Sequence, residues 1–239
     1  MCGRFTLHTS IKTISSLFDG LRFPELVPRY NIAPTQSVLC LRQTPSPSTG
    51  PEAQDTEAVM LRWGLVPFWA KDLKIGAKLI NARSETVASK PAFRAAFKSR
   101  RCLVLADGFY EWKKIGKSKQ PYYITRVDAR PFCLAGLWES WRDDELGAEA
   151  ETIETCTILT TQANSIMQPL HDRMPVFLGN EEQTFWLNNS FKDHGALEKL
   201  LVPCPDEDLQ FREVSKIVNK VSNESPECIQ SPEEPKTLF

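Results

Sequence analysis

The second residue is the one best suited to covalent chemistry. A cysteine follows the initiator methionine in the opening residues Met1-Cys2-Gly3-Arg4-Phe5. Because its side chain is small, we expect an aminopeptidase to remove Met1 and leave Cys2 with a free α-amine. Unperturbed, this amine titrates near ~7.7–8.0 and the thiol near ~8.5, so about a tenth of the amine is uncharged at pH 7. Such a 1,2-aminothiol can condense with an aldehyde and close a thiazolidine ring. The alternative is an ordinary residue in a frayed terminus.

Two further side chains have the chemistry to move protons. Glu111 lies between Tyr110 and Trp112, and aromatic neighbours that exclude water favour a protonated carboxyl near neutrality. A surface glutamate is the alternative. His171 precedes a predicted strand and is of the type that most often shuttles protons, although a lone histidine is also commonly structural.

Other residues have the chemistry to hold a substrate. Asn81 and Arg83 lie two apart at a predicted helix start, where an amide can hold a hydroxyl and a guanidinium can hold a phosphate. Asparagine is also a routine helix cap. The adjacent aromatic residues Phe68 and Trp69 lie close to lysines, a combination that stacks bases in single-strand binders but is also common in protein cores.

These residues must be positioned by a fold of many short strands. The 239 residues are 41% hydrophobic, and strands and scattered helices follow one another without βαβ alternation. We therefore predict one α+β domain over residues 1–239, with a curved, largely antiparallel sheet or open barrel and several peripheral helices. The predicted strands are 37–41, 59–63, 102–106, 109–112, 122–127, 132–138, 156–160, 174–178 and 209–214; the helices are 10–19, 80–98, 181–188 and 194–202; the loops are 44–57 and 139–152, with a tail from about 230.

Composition narrows the class of protein. No apolar run is long enough to cross a membrane and no signal region is visible, so we expect a cytoplasmic protein. Seven cysteines without a C-x-x-C pair, and only three histidines, argue against a zinc site or a disulfide framework. The segment 62–126 has fifteen Lys and Arg against four Asp and Glu, which fits a face that meets a polyanion or a solvated basic surface.

Seven short motifs occur in order along the chain. They are MCGRF at 1–5, RYNIAP at 29–34, WGLVPFW at 63–69, NARSET at 81–86, ADGFYEW at 106–112, HDRMP at 171–175, and VSKIVN at 214–219 with Asn223, Pro226 and Glu227. Together they resemble the SRAP family, the SOS-response-associated peptidases understood as abasic-site processing proteins. Cys228 is a departure, because the family usually has a leucine there.

The resemblance implies a function in the DNA damage response. The protein would sense and shield abasic sites in single-stranded DNA through a thiazolidine crosslink between Cys2 and the ring-opened deoxyribose. Crosslink reversal and lyase cleavage would be possible, and no metal or organic cofactor would be needed. Glu111 would assist ring opening and proton transfer, His171 would serve imine formation and reversal, and Asn81 would orient the sugar or Cys2.

The same resemblance implies a set of DNA contacts. We expect a monomeric protein that is nucleoid-associated when bound to damaged DNA. Arg4 and Arg83 would bind flanking phosphates. Wedging against the bases would fall to Pro34, Phe68 and Trp69, and Thr160 would line the site. Two alternatives stay open. One is a cysteine-type peptidase with Cys2 as nucleophile and His171 as base, and the other is a non-catalytic module that binds single-stranded DNA.

Overall fold

The structure is a computed structural model that describes residues 2–45, 54–143 and 151–232. The strands are β1 (Phe5–Leu7), β2 (Arg29–Ile32), β3 (Ser37–Pro45), β4 (Gln54–Trp63), β5 (Asn81–Arg83), β6 (Arg101–Ala106), β7 (Gly108–Ile115), β8 (Ser118–Arg126), β9 (Phe132–Arg142), β10 (Thr152–Gln162), β11 (Arg173–Pro175) and β12 (Leu209–Glu213). The α-helices are α1 (Ile11–Leu17), α2 (Arg94–Ser99), α3 (Asn180–Leu187) and α4 (His194–Lys199).

Five of these strands close into a barrel. The ring runs β10-β4-β3-β6-β9, and β9 pairs with β10 from Arg142↔Thr152 to Gly136↔Ile158. All of its pairings are antiparallel except the one between β4 and β10, which is parallel. The predicted α+β class and the curved, largely antiparallel sheet are confirmed, and the β9–β10 pairing closes the barrel that the sequence suggested was open.

A second sheet brings the start of the chain to the barrel. Its order is β12-β8-β7-β1-β2, so β1 lies in the interior of the sheet between two partners. Phe5 on β1 packs edge-on against Trp63 of barrel strand β4, with ring centroids 5.0 Å apart. Both side chains are fully buried. Because edge-to-face aromatic pairs stabilise beyond their buried area, this contact joins the two sheets directly below Cys2.

The helix predicted over 80–98 is wrong over most of its length. Residues 81–83 form strand β5, which pairs in parallel with β10, and a 3₁₀ turn follows at Ser84–Thr86. Only α2 is helical, and it begins after Pro91. Proline cannot continue a helix through its own position, and the β10 edge offers the NAR segment backbone partners that a helix would forgo. Asn81 and Arg83 therefore lie on a strand instead of at a helix start.

The other sequence predictions concern loops and capped helices. Strands β3, β4 and β9 extend into the segments 44–57 and 139–152 predicted as loops, whose centres lie outside the described residues. The first helix is confirmed with its cap, since Ser10 Oγ accepts a hydrogen bond from Thr13 N at 3.2 Å. None of the helices in the described ranges is both long and apolar enough to cross a membrane.

Candidate active site

Backbone pairing brings the start of the chain alongside Glu111. Strand β1 runs antiparallel to β7 with Phe5 opposite Phe109, and Tyr110 N donates to Arg4 O at 2.9 Å. Continuing that register brings the residues before Arg4 alongside Glu111. The Cys2 side chain is fully buried. Burial raises the pKa of the Cys2 thiol far above its ordinary value, and the Glu111 carboxylate raises this pKa further. The two groups therefore share one water-poor space.

Asn81 holds Cys2 from the barrel side. Its Nδ2 donates to Cys2 O at 2.8 Å. Strand β5 aims the amide there because it pairs in parallel with β10, with Asn81 opposite Ile158. The Oδ1 atom of Asn81 is buried and accepts no hydrogen bond from the residues that the structure describes. An acceptor in this position can accept a hydrogen bond from the Cys2 nitrogen or from a bound sugar hydroxyl.

Glu111 is buried and shares a face with Phe109, as expected for an extended segment. It is only 4% exposed and lies opposite Tyr122 on β8. Side chains alternate along a strand, so its neighbours Tyr110 and Trp112 point to the other face and pack in a separate apolar cluster. Glu111 therefore shares its face with Phe109 and faces the main core.

His171 occupies the turn that leads into β11. Its Nδ1 accepts a hydrogen bond from Arg173 N at 3.0 Å and lies 2.6 Å from Asp172 Oδ1. Both contacts involve Nδ1. Nε2 is then the nitrogen available for proton transfer. Strand β10 links this turn to the region of Asn81, because it pairs with both β11 and β5.

The two adjacent aromatics are presented to solvent. Phe68 is 59% exposed and Trp69 is 48% exposed. Their segment is anchored at its start by Gly64, which has a φ of 122° and lies so close to Gly76 that an added Cβ would come within 2.6 Å of the Gly76 oxygen. It is anchored at its end by the Trp141 indole, which donates to Ala70 O at 2.6 Å. A fixed loop thus displays two rings, which is the arrangement expected of a stacking surface.

The remaining predicted DNA contacts differ in accessibility. Arg83 is exposed and Pro34 is half-buried. Thr160 is fully buried, with its hydroxyl donating to Ala82 O at 3.4 Å, so it contacts the site through its neighbours β5 and β11.

Arg4 is committed to an internal network that the sequence did not reveal. Its Nη1 donates to Asn31 Oδ1 at 2.6 Å and to Val218 O at 3.0 Å. Asn31 is fully buried, and its Nδ2 faces the carbonyl oxygens of Val218, Lys220 and Asn223 at 2.8–3.2 Å. Asn31 therefore fastens the segment around residues 216–224 to β2 and, through Arg4, to the start of the first strand. Its place inside the RYNIAP motif was the available signal, although the motif gave no partner.

The arrangement combines a thiol held in its protonated form, a buried carboxyl and a fixed amide, and the exposed Arg83 lies two residues from Asn81 on β5. Within the described residues, no cluster of three or more His, Cys, Asp or Glu is arranged to hold a metal ion.

Known proteins share this sequence and fold. The Bacillus subtilis "Abasic site processing protein YoqW" is 42% identical over 97% of this chain and 100% of its own. The Escherichia coli "Abasic site processing protein YedK" is 32% identical over 96% and 99%, and the Xenopus tropicalis "Abasic site processing protein HMCES" is 32% identical over 84% of this chain and 65% of its own. A crystal structure of a Bacteroides thetaiotaomicron protein superposes with a TM-score of 0.82 at 26% identity, covering 97% of this chain and 100% of that one. Residues 1–221 match the family model described as SOS response associated peptidase (SRAP), and the chain belongs to that family.

Proposed function

We propose that this protein senses abasic sites in single-stranded DNA and shields them through a covalent bond to Cys2 after removal of Met1. The observation that carries the proposal is the placement of Cys2 between the Asn81 amide and the Glu111 carboxyl. The substrate class is supported by the relatives, which are named abasic site processing proteins.

The chemistry proceeds in balanced steps. An abasic deoxyribose exchanges between a closed hemiacetal and an open aldehyde. Glu111 assists the opening by taking the proton of the C1′ hydroxyl and delivering a proton to the ring oxygen. The Cys2 amine adds to C1′ and water leaves, which gives an imine. The thiol then adds to the imine carbon, and its proton passes to the nitrogen through Glu111 to give the thiazolidine. Asn81 holds Cys2 by its carbonyl, so the amine and the sulfur meet one carbon in a fixed geometry.

The thiol environment supports an amine-first order over peptidase chemistry. A cysteine nucleophile that attacks an amide needs a lowered pKa, as found near cationic groups. Here burial and Glu111 raise the Cys2 pKa, so the thiolate is disfavoured until a proton acceptor takes its proton. Thiazolidine closure tolerates this because the proton leaves as the S–C bond forms. His171 would serve imine formation and reversal, and an imine left open would permit lyase cleavage.

DNA would approach over the exposed side chains around the site. Phe68 and Trp69 would stack against bases beside the lesion, and Arg83 would bind a flanking phosphate. Pro34 would wedge against the bases together with these two rings. Arg4 would act chiefly by fixing β1, since its Nη1 is already bonded to Asn31 and Val218.

The test uses a single-stranded oligonucleotide with one abasic site. Intact-mass analysis should show one adduct equal to the Met1-less chain plus the oligonucleotide minus one water. Cys2→Ala should bind the oligonucleotide but form no denaturant-resistant complex, and the matched control Cys204→Ala should crosslink normally. A tag that keeps residue 2 but blocks its amine should abolish the adduct. A peptidase that acts through the thiol alone would tolerate that tag, and a simple binding module would give no adduct with the wild-type protein.

A second variant tests the role of the carboxyl. Glu111→Gln should slow crosslinking at saturating oligonucleotide without weakening binding. Wild-type rates in this variant would remove Glu111 from the mechanism.

A further inference from the structure

The hairpin beyond Glu111 has an arrangement of lysines that the fold does not require. Strands β7 and β8 continue past the end of β1 to a turn at Gly116, whose φ is 58°. Four lysines lie in residues 113–119, here called the lysine hairpin: Lys113, Lys114, Lys117 and Lys119. None of the ion pairs recorded in the described part of the chain involves them.

Two of these lysines face each other directly. Lys114 pairs with Lys119 in the antiparallel register. Like charges directly opposite each other on one face of a sheet destabilise the pairing. Lysines do protect exposed sheet edges from association, but edge protection does not require them to be opposed. An anion bound between the two ammonium groups would offset their repulsion.

The alternation of side chains along β7 fixes where this pair lies relative to Glu111. Alternation puts Lys114 on the same face as Trp112, above which the Arg4 guanidinium lies 5.6 Å from the ring centroid. Lys114 is three residues from Glu111, or roughly 10 Å along an extended strand. Lys113 lies on the other face, next to Glu111 itself. The hairpin thus extends positive charge along β7 beyond Glu111. The Arg4 guanidinium, on the same side as Lys114, is already bonded within the protein.

We propose that the lysine hairpin is a second DNA contact, with Lys114 and Lys119 together binding the phosphate backbone of the single strand that flanks the abasic site. The proposal rests on the proposed function for its ligand. The contact is electrostatic and independent of sequence, since ammonium groups on flexible stems read charge and not bases. It lengthens the stretch of strand that the protein holds beyond Cys2.

The test compares two double variants that lose the same charge. Lys114→Gln with Lys119→Gln removes the opposed pair, and Lys12→Gln with Lys199→Gln removes two exposed lysines from α1 and α4. Binding to an undamaged fluorescent single strand is measured by anisotropy over a range of salt concentrations. Loss of two phosphate contacts should reduce the slope of log affinity against log salt concentration, here called the salt slope, by about 1.4. It should lower the affinity about 25-fold at 0.1 M salt. The control pair should change neither.

Three outcomes would overturn the proposal. They are an unchanged slope, an equal loss in the control pair, or a loss that appears only when the flank is double-stranded. Shortening the flank to one nucleotide on each side should abolish the difference between wild type and variant. Wild type and both double variants are also incubated with an abasic oligonucleotide. Absence of any crosslink with wild type would sink the proposed function but leave the salt slope to decide the hairpin.

Discussion

Replacing Asn31 tests whether one amide fastens the first strand to the C-terminal segment. Its two N–H groups serve three carbonyl oxygens at 2.8–3.2 Å, and its Oδ1 accepts from Arg4 Nη1 at 2.6 Å. Two neutral bonds contribute about 1 kcal/mol each, and a bond to a charged group contributes about 1.5–3 kcal/mol. Asn31→Ala should therefore lower the free energy of unfolding by about 3–5 kcal/mol, a large part of the roughly 5–15 kcal/mol of a typical domain.

Urea unfolding followed by fluorescence measures this loss as a shift of the midpoint at constant slope. Asn31→Asp separates the donors from the acceptor, because a carboxylate still accepts from Arg4 but faces three carbonyl oxygens with nothing to donate. We expect it to be at least as destabilising as alanine. The exposed Asn188→Ala is the matched control and should stay within about 1 kcal/mol of wild type. A decrease in the free energy of unfolding below about 1 kcal/mol in Asn31→Ala would refute the inference that Asn31 fastens the C-terminal segment.

Two further predictions concern alkaline stability and base stacking. Burial raises the pKa of Cys133 to about 12, so the folded state keeps a proton that the unfolded chain releases above about pH 9. The free energy of unfolding should then fall between pH 9 and 12, with this group contributing about 1.4 kcal/mol per pH unit. Cys133→Ala should flatten that fall in urea unfolding, and parallel pH curves for the variant and wild type would contradict the prediction. Phe68→Ala and Trp69→Ala should each leave unfolding within about 0.5 kcal/mol of wild type, because both rings are largely exposed. Each should weaken single-strand binding by about 1–3 kcal/mol in anisotropy titrations, and unchanged affinity would rule out stacking.

The sequence predicted the strands better than their partners. Alternation and β-branched runs located the barrel strands, because those signals are local. Closure of the barrel depends on β9 meeting β10 across a segment that reads as an acidic loop, and no local pattern reports that pairing. The helix predicted at 80–98 failed for the same reason, since the parallel partner of Asn81–Arg83 is 77 residues further along, at β10.

The residue types of the site were predictable, but their contacts were not. Cys2, Glu111 and Asn81 were selected from their chemistry and from family resemblance, and the structure brings these three together. Arg4 was expected to face DNA, yet its bonds run inward to Asn31, a residue with no chemical signal of its own. A buried asparagine reads as polar and therefore as surface, and only the carbonyl groups brought to it by folding show otherwise.

In the proposed reaction the reacting atoms are those of Cys2, and the network around Arg4 helps to hold them in place. Residues near an end of a chain usually fray, whereas thiazolidine closure needs an amine and a sulfur held on one carbon. Three restraints meet this need: β1 is flanked by β2 and β7, Asn81 holds the Cys2 carbonyl, and Arg4 joins the strand to Asn31 and Val218. Each acts on backbone or on a neighbouring residue, and the Cys2 sulfur itself contacts only a backbone oxygen, Arg4 O at 4.0 Å, among the described hydrogen bonds. Loosening any one of them should therefore lower the rate of crosslinking more than the affinity for DNA, because binding uses the exposed aromatic and basic side chains and the reaction uses the fixed terminus.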